Sequence, residues 1–187
     1  MQSRLTTIIK LRGFNPLCHF TVVRCKNDNI IIDTKVCKRR EKMGMQDPNC
    51  VFCKIIAGEI SAKIIMQNEK AMALLDAFPL APGHTLVIPK SHYAKVQQMS
   101  EHDAMAVFEI VWKIAGAVET SSQVNASTIA IHNGSEAGQE VPHVHAHVVP
   151  RKKGDGAGPI HSMFKIKPKL SPQEMDSLCD RIASNLS

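Results

Sequence analysis

The sequence predicts an α+β fold built on an antiparallel sheet. Three observations predict it: a few short apolar runs bounded by Pro, Gly and Asn turns, one long segment of helical period, and short connections between them. Asp47-Pro48-Asn49 supplies a cap and a first-turn proline for a short helix over about 50–57, ended near Gly58. Residues 63–67 and 71–76 read as strands joined by the polar turn Asn68-Glu69-Lys70. A Pro/Gly loop at 78–83 leads to a third strand at 84–89. Ser100 and Asp103 have capping-box spacing at the start of a long helix, with Asp in place of Glu or Gln. Ala104, Val107, Phe108, Val111, Ala115 and Val118 then recur at helical period as its core stripe. Residues 128–132 and 143–150 read as the fourth and fifth strands, separated by a Gly-containing loop. A last helix runs from about Ser171, with Pro172 at its first position, to Ala183.

The chain has 187 residues, enough for about one domain with an appendage. Residues 1–42 carry 10 basic and 3 acidic residues, whereas 43–187 carry 13 and 14. The basic balance therefore belongs to an N-terminal extension, residues 1–46, and the domain at 47–187 offers no charged face for nucleic acid. The extension has Arg, Ser and Thr but no acid before Asp28. That composition fits a transit peptide, a disordered basic extension, or a stretch upstream of a start at Met43 or Met45. It places the protein in the cytoplasm or, with a transit peptide, in mitochondria. No apolar segment is long enough for a secretory signal or a membrane span. Residues 29–37 can form a strand, with nothing nearby to supply a partner. Six cysteines form no disulfide framework, which suggests a reducing compartment. Only Cys50 and Cys53 have a spacing that carries chemistry: a redox pair, a metal half-site or a coincidence.

The chemistry concentrates in VPHVHAHVVP at 141–150. His143, His145 and His147 recur with period two, which on a strand puts all three imidazoles on one face, roughly 6.5–7 Å apart. Packing does not demand such a row. It suits either an oxyanion such as phosphate or a metal, since His-x-His pairs ligate zinc. The preceding loop favours phosphate: Gly138 permits backbone approach, and Gln139 and Ser135 are donors. An imidazole has an unperturbed pKa near about 6.5 and can attack phosphorus without a separate base.

HNGSEAGQEVPHVHAHVVPR closely resembles the signature of the histidine triad (HIT) superfamily of nucleotide hydrolases and transferases. CVFCKIIAGEI, LLDAFPLAPGHTLVIPKSH and PRKKGDG resemble its opening helix, central hairpin and post-triad segment, so the resemblance spans about residues 48–159. It implies a HIT-like fold with about five antiparallel strands and a homodimer. It implies His145 as the nucleophile, forming a nucleotidyl-histidine intermediate that water resolves. His147 would contact phosphate oxygens, His143 would position the nucleophile, and His84 would lie beside the phosphates. Asp76 matches the acid that bonds the ribose hydroxyls. Phe52, Ile55 and Phe78 are base-pocket walls or plain core. His132, Asn133, Gly138 and Gln139 line the phosphate side, with His132 standing where the family usually has Asn or Gln. The resemblance further implies a structural zinc held by Cys50, Cys53, His92 and His143, and no catalytic cofactor. The expected substrate is an adenosine 5′-monophosphoramidate or similar purine nucleotide conjugate, cleaved at the α-phosphate. The alternatives are a dinucleoside polyphosphate hydrolase and a nucleotide-binding adaptor with incidental hydrolysis.

Overall fold

The structure, a computed structural model, describes residues 24–26, 29–31 and 45–186. The chain falls into two units, Met1–Met43 and Gly44–Ser187. In the first, strand β1 (Arg24–Lys26) pairs antiparallel with β2 (Asn29–Ile31), Arg24 opposite Ile31. Residues 29–31 of the strand expected at 29–37 thus have a partner, which the sequence reading overlooked, and residues 32–37 lie outside the described residues. The transit-peptide reading, and Cys18 and Cys37, lie outside the described residues.

The second unit contains α1 (Val51–Ile56), β3 (Ile64–Gln67), β4 (Ala71–Leu75), β5 (Thr85–Pro89), α2 (Glu101–Ser121), β6 (Ala126–Ile131), β7 (Ala146–Arg151) and α3 (Pro172–Ser184). Its sheet has the order β3-β4-β5-β7-β6, antiparallel throughout, so β7 is inserted between β5 and the edge strand β6. Asn68 closes the first hairpin by accepting the amides of Lys70 and Ala71 through Oδ1 (2.9 and 2.7 Å). Strand alternation then divides the core in two. Ala71, Ala73, Val87, Ala146 and Val148 face α2, and the small alanines let that helix approach the sheet closely. Met72, Leu74, Leu86 and Ile88 face α1, where they pack with Cys50, Phe52 and Cys53. Each large aliphatic side chain buried here stabilises by about 1.5–3 kcal/mol before entropy is charged against it.

Four expectations shift. Asp47-Pro48-Asn49 is a turn ahead of α1 rather than its first turn: the Asp47 carbonyl accepts from Cys50 N–H (3.1 Å), Oδ1 accepts from Asn49 N–H (2.8 Å), and Cys50 is the cap residue. Ser100 does cap α2, accepting Asp103 N–H at 3.1 Å. Asp103 spends its carboxylate on the Ser100 and Tyr93 hydroxyls instead of closing a box. The buried stripe of α2 is Ala106, Val107, Ile110, Val111, Ile114 and Val118, so Phe108 is exposed, and Ala104 and Ala115 are half-buried. Finally, β7 begins at Ala146, three residues later than the strand expected at 143–150. The last helix is as expected, with a reciprocal Ser171–Glu174 capping box. Residues 152–186 are all exposed.

Candidate active site and metal centre

The approach to β7 is fixed by backbone bonds. His143 N–H donates to the Val141 carbonyl (2.8 Å), and Val144 N–H donates to the Tyr93 carbonyl (2.7 Å). The three histidines therefore do not form a regular strand row, and they divide between two clusters.

His143 is fully buried. Its Nε2–H donates to the Pro89 carbonyl at 3.0 Å, which leaves Nδ1 as a bare lone pair. That lone pair faces Cys50 Sγ (3.5 Å) and Cys53 Sγ (3.7 Å), and His92 Nδ1 lies 3.4 Å from Cys53 Sγ. A tetrahedral zinc with ordinary Zn–S and Zn–N bonds separates its sulfur and nitrogen ligands by about 3.5 Å. The donor set and spacing of Cys50, Cys53, His92 and His143 fit that ion. Burial holds His143 down to about pKa 4, in the unprotonated form a metal needs. Burial also raises the Cys53 thiol, against the Asp47 amide that donates to its sulfur.

His145 turns the other way. Its Nδ1–H donates to the His143 carbonyl at 2.6 Å, so Nε2 carries the free lone pair. Burial lowers its pKa, against the pull of that carbonyl, and keeps the ring neutral and nucleophilic. Phe52 of α1 lies 5.2 Å from the His145 ring and 5.7 Å from that of His143. His147 sits within β7 opposite Leu86 and Ala130, its ring 4.9 Å from that of His145, closer than an ideal strand allows.

His84 reaches His147 with Nε2 at 2.9 Å from Nδ1. At its other nitrogen His84 accepts from Leu80 N–H (3.2 Å) and lies 3.3 Å from Asp76 Oδ2. An amide can only donate, so the neutral His84 ring carries its proton on Nε2 and gives it to His147 Nδ1. His147 then bears its own proton on Nε2, which is buried with no protein partner. Burial, and then the charges of neighbouring His145, His84 and His132, lower His147 to about pKa 4. Burial likewise lowers His84, with Asp76 opposing. Asp76, His84 and His147 also lie close enough for a metal. Asp76 stands at the far nitrogen of His84, so the three form a chain rather than a cage.

The remaining residues named from sequence are placed as follows. Asp76 Oδ1 accepts Phe78 N–H at 2.9 Å. Phe78 is 89% exposed, while Ile55 packs against the α1-side core. Asn133 spends both ends of its amide on residues 96–97, accepting Val96 N–H (2.9 Å) and donating to Gln97 (3.0 Å). Gln139 does the same, accepting Gly134 N–H (2.8 Å) and donating to the Ala94 carbonyl (2.9 Å). The two amides brace the loop at 133–140 against residues 94–97. Gly138 adopts φ +89°, a left-handed conformation that favours glycine. His132 lies 5.5 Å from the His147 ring. Sequence reasoning missed Tyr93, whose carbonyl fixes Val144 and whose hydroxyl donates to the buried Asp103 at 2.6 Å. Its position beside His92 was the available signal.

This arrangement of three histidines, one turned to a pair of thiols and two packed against each other beside His84, accompanies a match to the HIT domain model over residues 57–154. The chain belongs to the HIT family. It is 37% identical to the protein hit of Bacillus subtilis over 74% of this chain and 95% of that one. It is 35% identical to adenylylsulfatase HINT3 of Arabidopsis thaliana over 67% of this chain and 64% of that one. It is 32% identical to adenosine 5′-monophosphoramidase hnt1 of Schizosaccharomyces pombe over 74% and 98%. Among solved structures, a HIT family member from Bacillus subtilis superimposes with a TM-score of 0.67 at 36% identity, covering 74% of this chain and 98% of that one. A zinc-bound histidine triad protein from Mycobacterium smegmatis superimposes at 0.54 and 30%, covering 73% and 96%. The five-stranded antiparallel sheet with its long helix is thus the HIT fold, as expected. No helix among the described residues is long and apolar enough to cross a membrane.

Proposed function

We propose that the protein hydrolyses an adenosine 5′-monophosphoramidate or similar nucleotide conjugate at the α-phosphate, through a nucleotidyl-His145 intermediate. The observation that carries this reading is the 2.6 Å bond from His145 Nδ1–H to the His143 carbonyl, which leaves a lone pair on Nε2. That nitrogen attacks phosphorus as the bond to the leaving group breaks, and the departing amine takes its proton from solvent. The unpartnered Nε2–H of His147 donates to a phosphoryl oxygen, and His84 holds His147 in that tautomer. Water then attacks the same phosphorus and releases nucleotide and free His145. Asp76 takes the ribose hydroxyls, and Phe52 with Ile55 borders the base. Relatives with phosphoramidase and adenylylsulfatase names support this substrate range.

A zinc bound by Cys50, Cys53, His92 and His143 supplies a structural cross-link. Through the His143 carbonyl those ligands steady the nucleophile. The homodimer reading draws on Met105, Phe108 and Trp112, an exposed apolar row on α2, and on the open edge of β6.

The test is single turnover on adenosine 5′-phosphoramidate. Wild type gives a burst of amine with nucleotide retained on protein. His145→Ala gives no burst and loses at least about a thousandfold in rate. Equal turnover by both forms overturns the reading.

A further inference from the structure

The peptide that joins His143 to Val144 is gripped at both edges. Its carbonyl accepts His145 Nδ1–H at 2.6 Å, and its N–H donates to the Tyr93 carbonyl at 2.7 Å. A trans peptide is planar and rigid, with its C=O and N–H pointing opposite ways. Whatever fixes the N–H edge therefore aims the carbonyl that sets the His145 ring. A hydrogen bond at the N–H edge also polarises the unit and makes its carbonyl a better acceptor. Tyr93 thus stands one rigid plane away from the His145 ring.

Tyr93 is itself anchored through its side chain. Its hydroxyl donates to Asp103 Oδ2 at 2.6 Å, and the Ser100 hydroxyl donates to the same oxygen at 2.7 Å. Asp103 is 5% exposed, and its Oδ1 has no protein partner among the described residues. Capping of α2 does not call for this carboxylate, because the Ser100 side chain already accepts Asp103 N–H. A buried carboxylate with one unpartnered oxygen costs stability. What it supplies is a charged acceptor for the Tyr93 hydroxyl, which makes the stronger kind of hydrogen bond. Burial pushes the Asp103 carboxyl up, but the Tyr93 and Ser100 hydroxyls, then the charges of Lys70 and His102, outweigh burial and hold it below its ordinary value. The bond to Asp103, and then burial, push the Tyr93 phenol up, so it stays protonated and donates. Behind Asp103, α2 is packed on the sheet through Ala106, Val107, Ile110 and Val111. One continuous series of contacts therefore runs from that helix through Asp103 and Tyr93 to the 143–144 peptide and on to His145.

We infer that Tyr93 is a positioning residue for nucleotidyl transfer: its hydroxyl, held by Asp103, fixes the backbone carbonyl that aims the 143–144 peptide and with it the His145 ring. This rests on His145 as the nucleophile and adds the device that orients it.

The experiment measures nucleotidyl transfer from adenosine 5′-phosphoramidate to the full chain under single turnover, as a rate constant and as the substrate concentration that half-saturates it. Tyr93→Phe removes the donor, and Asp103→Ala removes the acceptor. Each lowers the rate constant by about tenfold and leaves half-saturation within about twofold of wild type. Asp103→Asn keeps an acceptor oxygen for the hydroxyl and holds the rate within about threefold. Val118→Ala, in the buried stripe near the other end of α2, lowers the melting temperature without touching Tyr93 and leaves the rate within about twofold. A Tyr93→Phe rate within about twofold of wild type overturns the proposal. So does an equal loss in Val118→Ala, or a loss in Asp103→Asn as large as that in Asp103→Ala.

Proton-exchange NMR of the resting, isotope-labelled protein provides a second arm that needs no turnover. In wild type the His145 Nδ1–H exchanges slowly with solvent. In Tyr93→Phe and Asp103→Ala it exchanges at least about tenfold faster, and in Asp103→Asn it stays near the wild-type rate. Unchanged exchange in Tyr93→Phe overturns the proposal. If wild type transfers no nucleotide, the hydrolase reading fails, while the exchange arm still decides whether Tyr93 holds the His145 ring.

Discussion

Two groups of imidazoles stand beside one another and differ in how their ring nitrogens are used. Both nitrogens of His143 are engaged, Nε2 with the Pro89 carbonyl and Nδ1 with two thiols. Beside it, His145 and His147 are each tied through Nδ1, to the His143 carbonyl and to His84, while Nε2 of each has no protein partner among the described residues. A closed set of donors suits a metal that holds structure, and an open set suits a ligand that comes and goes. The teaching is that residue type does not separate the two roles. The destination of the second ring nitrogen does.

The strongest break in this comparison is expected from His145→Ala against Cys53→Ser. The first abolishes nucleotide transfer while the melting temperature stays within about 2 °C, because it empties an open site. The second removes a donor from the closed site. Purified Cys53→Ser should lose stoichiometric zinc by metal analysis and melt at least about 5 °C lower. If Cys53→Ser retains both zinc and stability, the closed set is not a metal centre. Next in size, His84→Gln cuts kcat by about a hundredfold, because His147 loses the partner that fixes its tautomer. A kcat within threefold of wild type would show that His147 needs no such partner.

Acidification acts on both sets in one direction. His143 and His147 are held near pKa 4 in the fold and titrate near about 6.5 when unfolded. Below about pH 6.5 the unfolded chain binds more protons than the native one, so stability falls as pH drops toward 4. Urea melts at pH 7 and pH 5 should show the lower midpoint at pH 5; equal midpoints would place these rings in water. The smallest effect belongs to Phe78→Ser. At 89% exposure this ring costs under about 0.5 kcal/mol of stability when removed, so a rise in KM would mark it as a base contact.

The sheet and its helices were legible because their signals are local. The apolar runs that form β4 and β5, the Asn68 turn and the Ser100 and Ser171 caps all stand in neighbouring residues. The α2 stripe was misread by about one position because Phe108 looks like core. It lies instead in an exposed row with Met105 and Trp112, and period alone does not say which apolar face meets the sheet. The triad was legible as a cluster but not in its geometry. Period two placed three rings on one strand. The Tyr93 carbonyl, fifty-one residues away in sequence, instead holds Val144 outside β7, so His143 departs to the thiols. Asn133 and Gln139 looked like phosphate donors because a side-chain amide does not announce that groups 36 to 45 residues distant will occupy it.

The central claim is that His145, with Nδ1 tied to the His143 carbonyl, offers Nε2 to phosphorus. Rapid acid-free quenching of wild type with adenosine 5′-phosphoramidate, followed by peptide mass spectrometry, tests it most directly. An AMP adduct on the peptide bearing the triad, fragmenting at His145, is the expected result. An adduct on His147, on His132 or on any other side chain contradicts it.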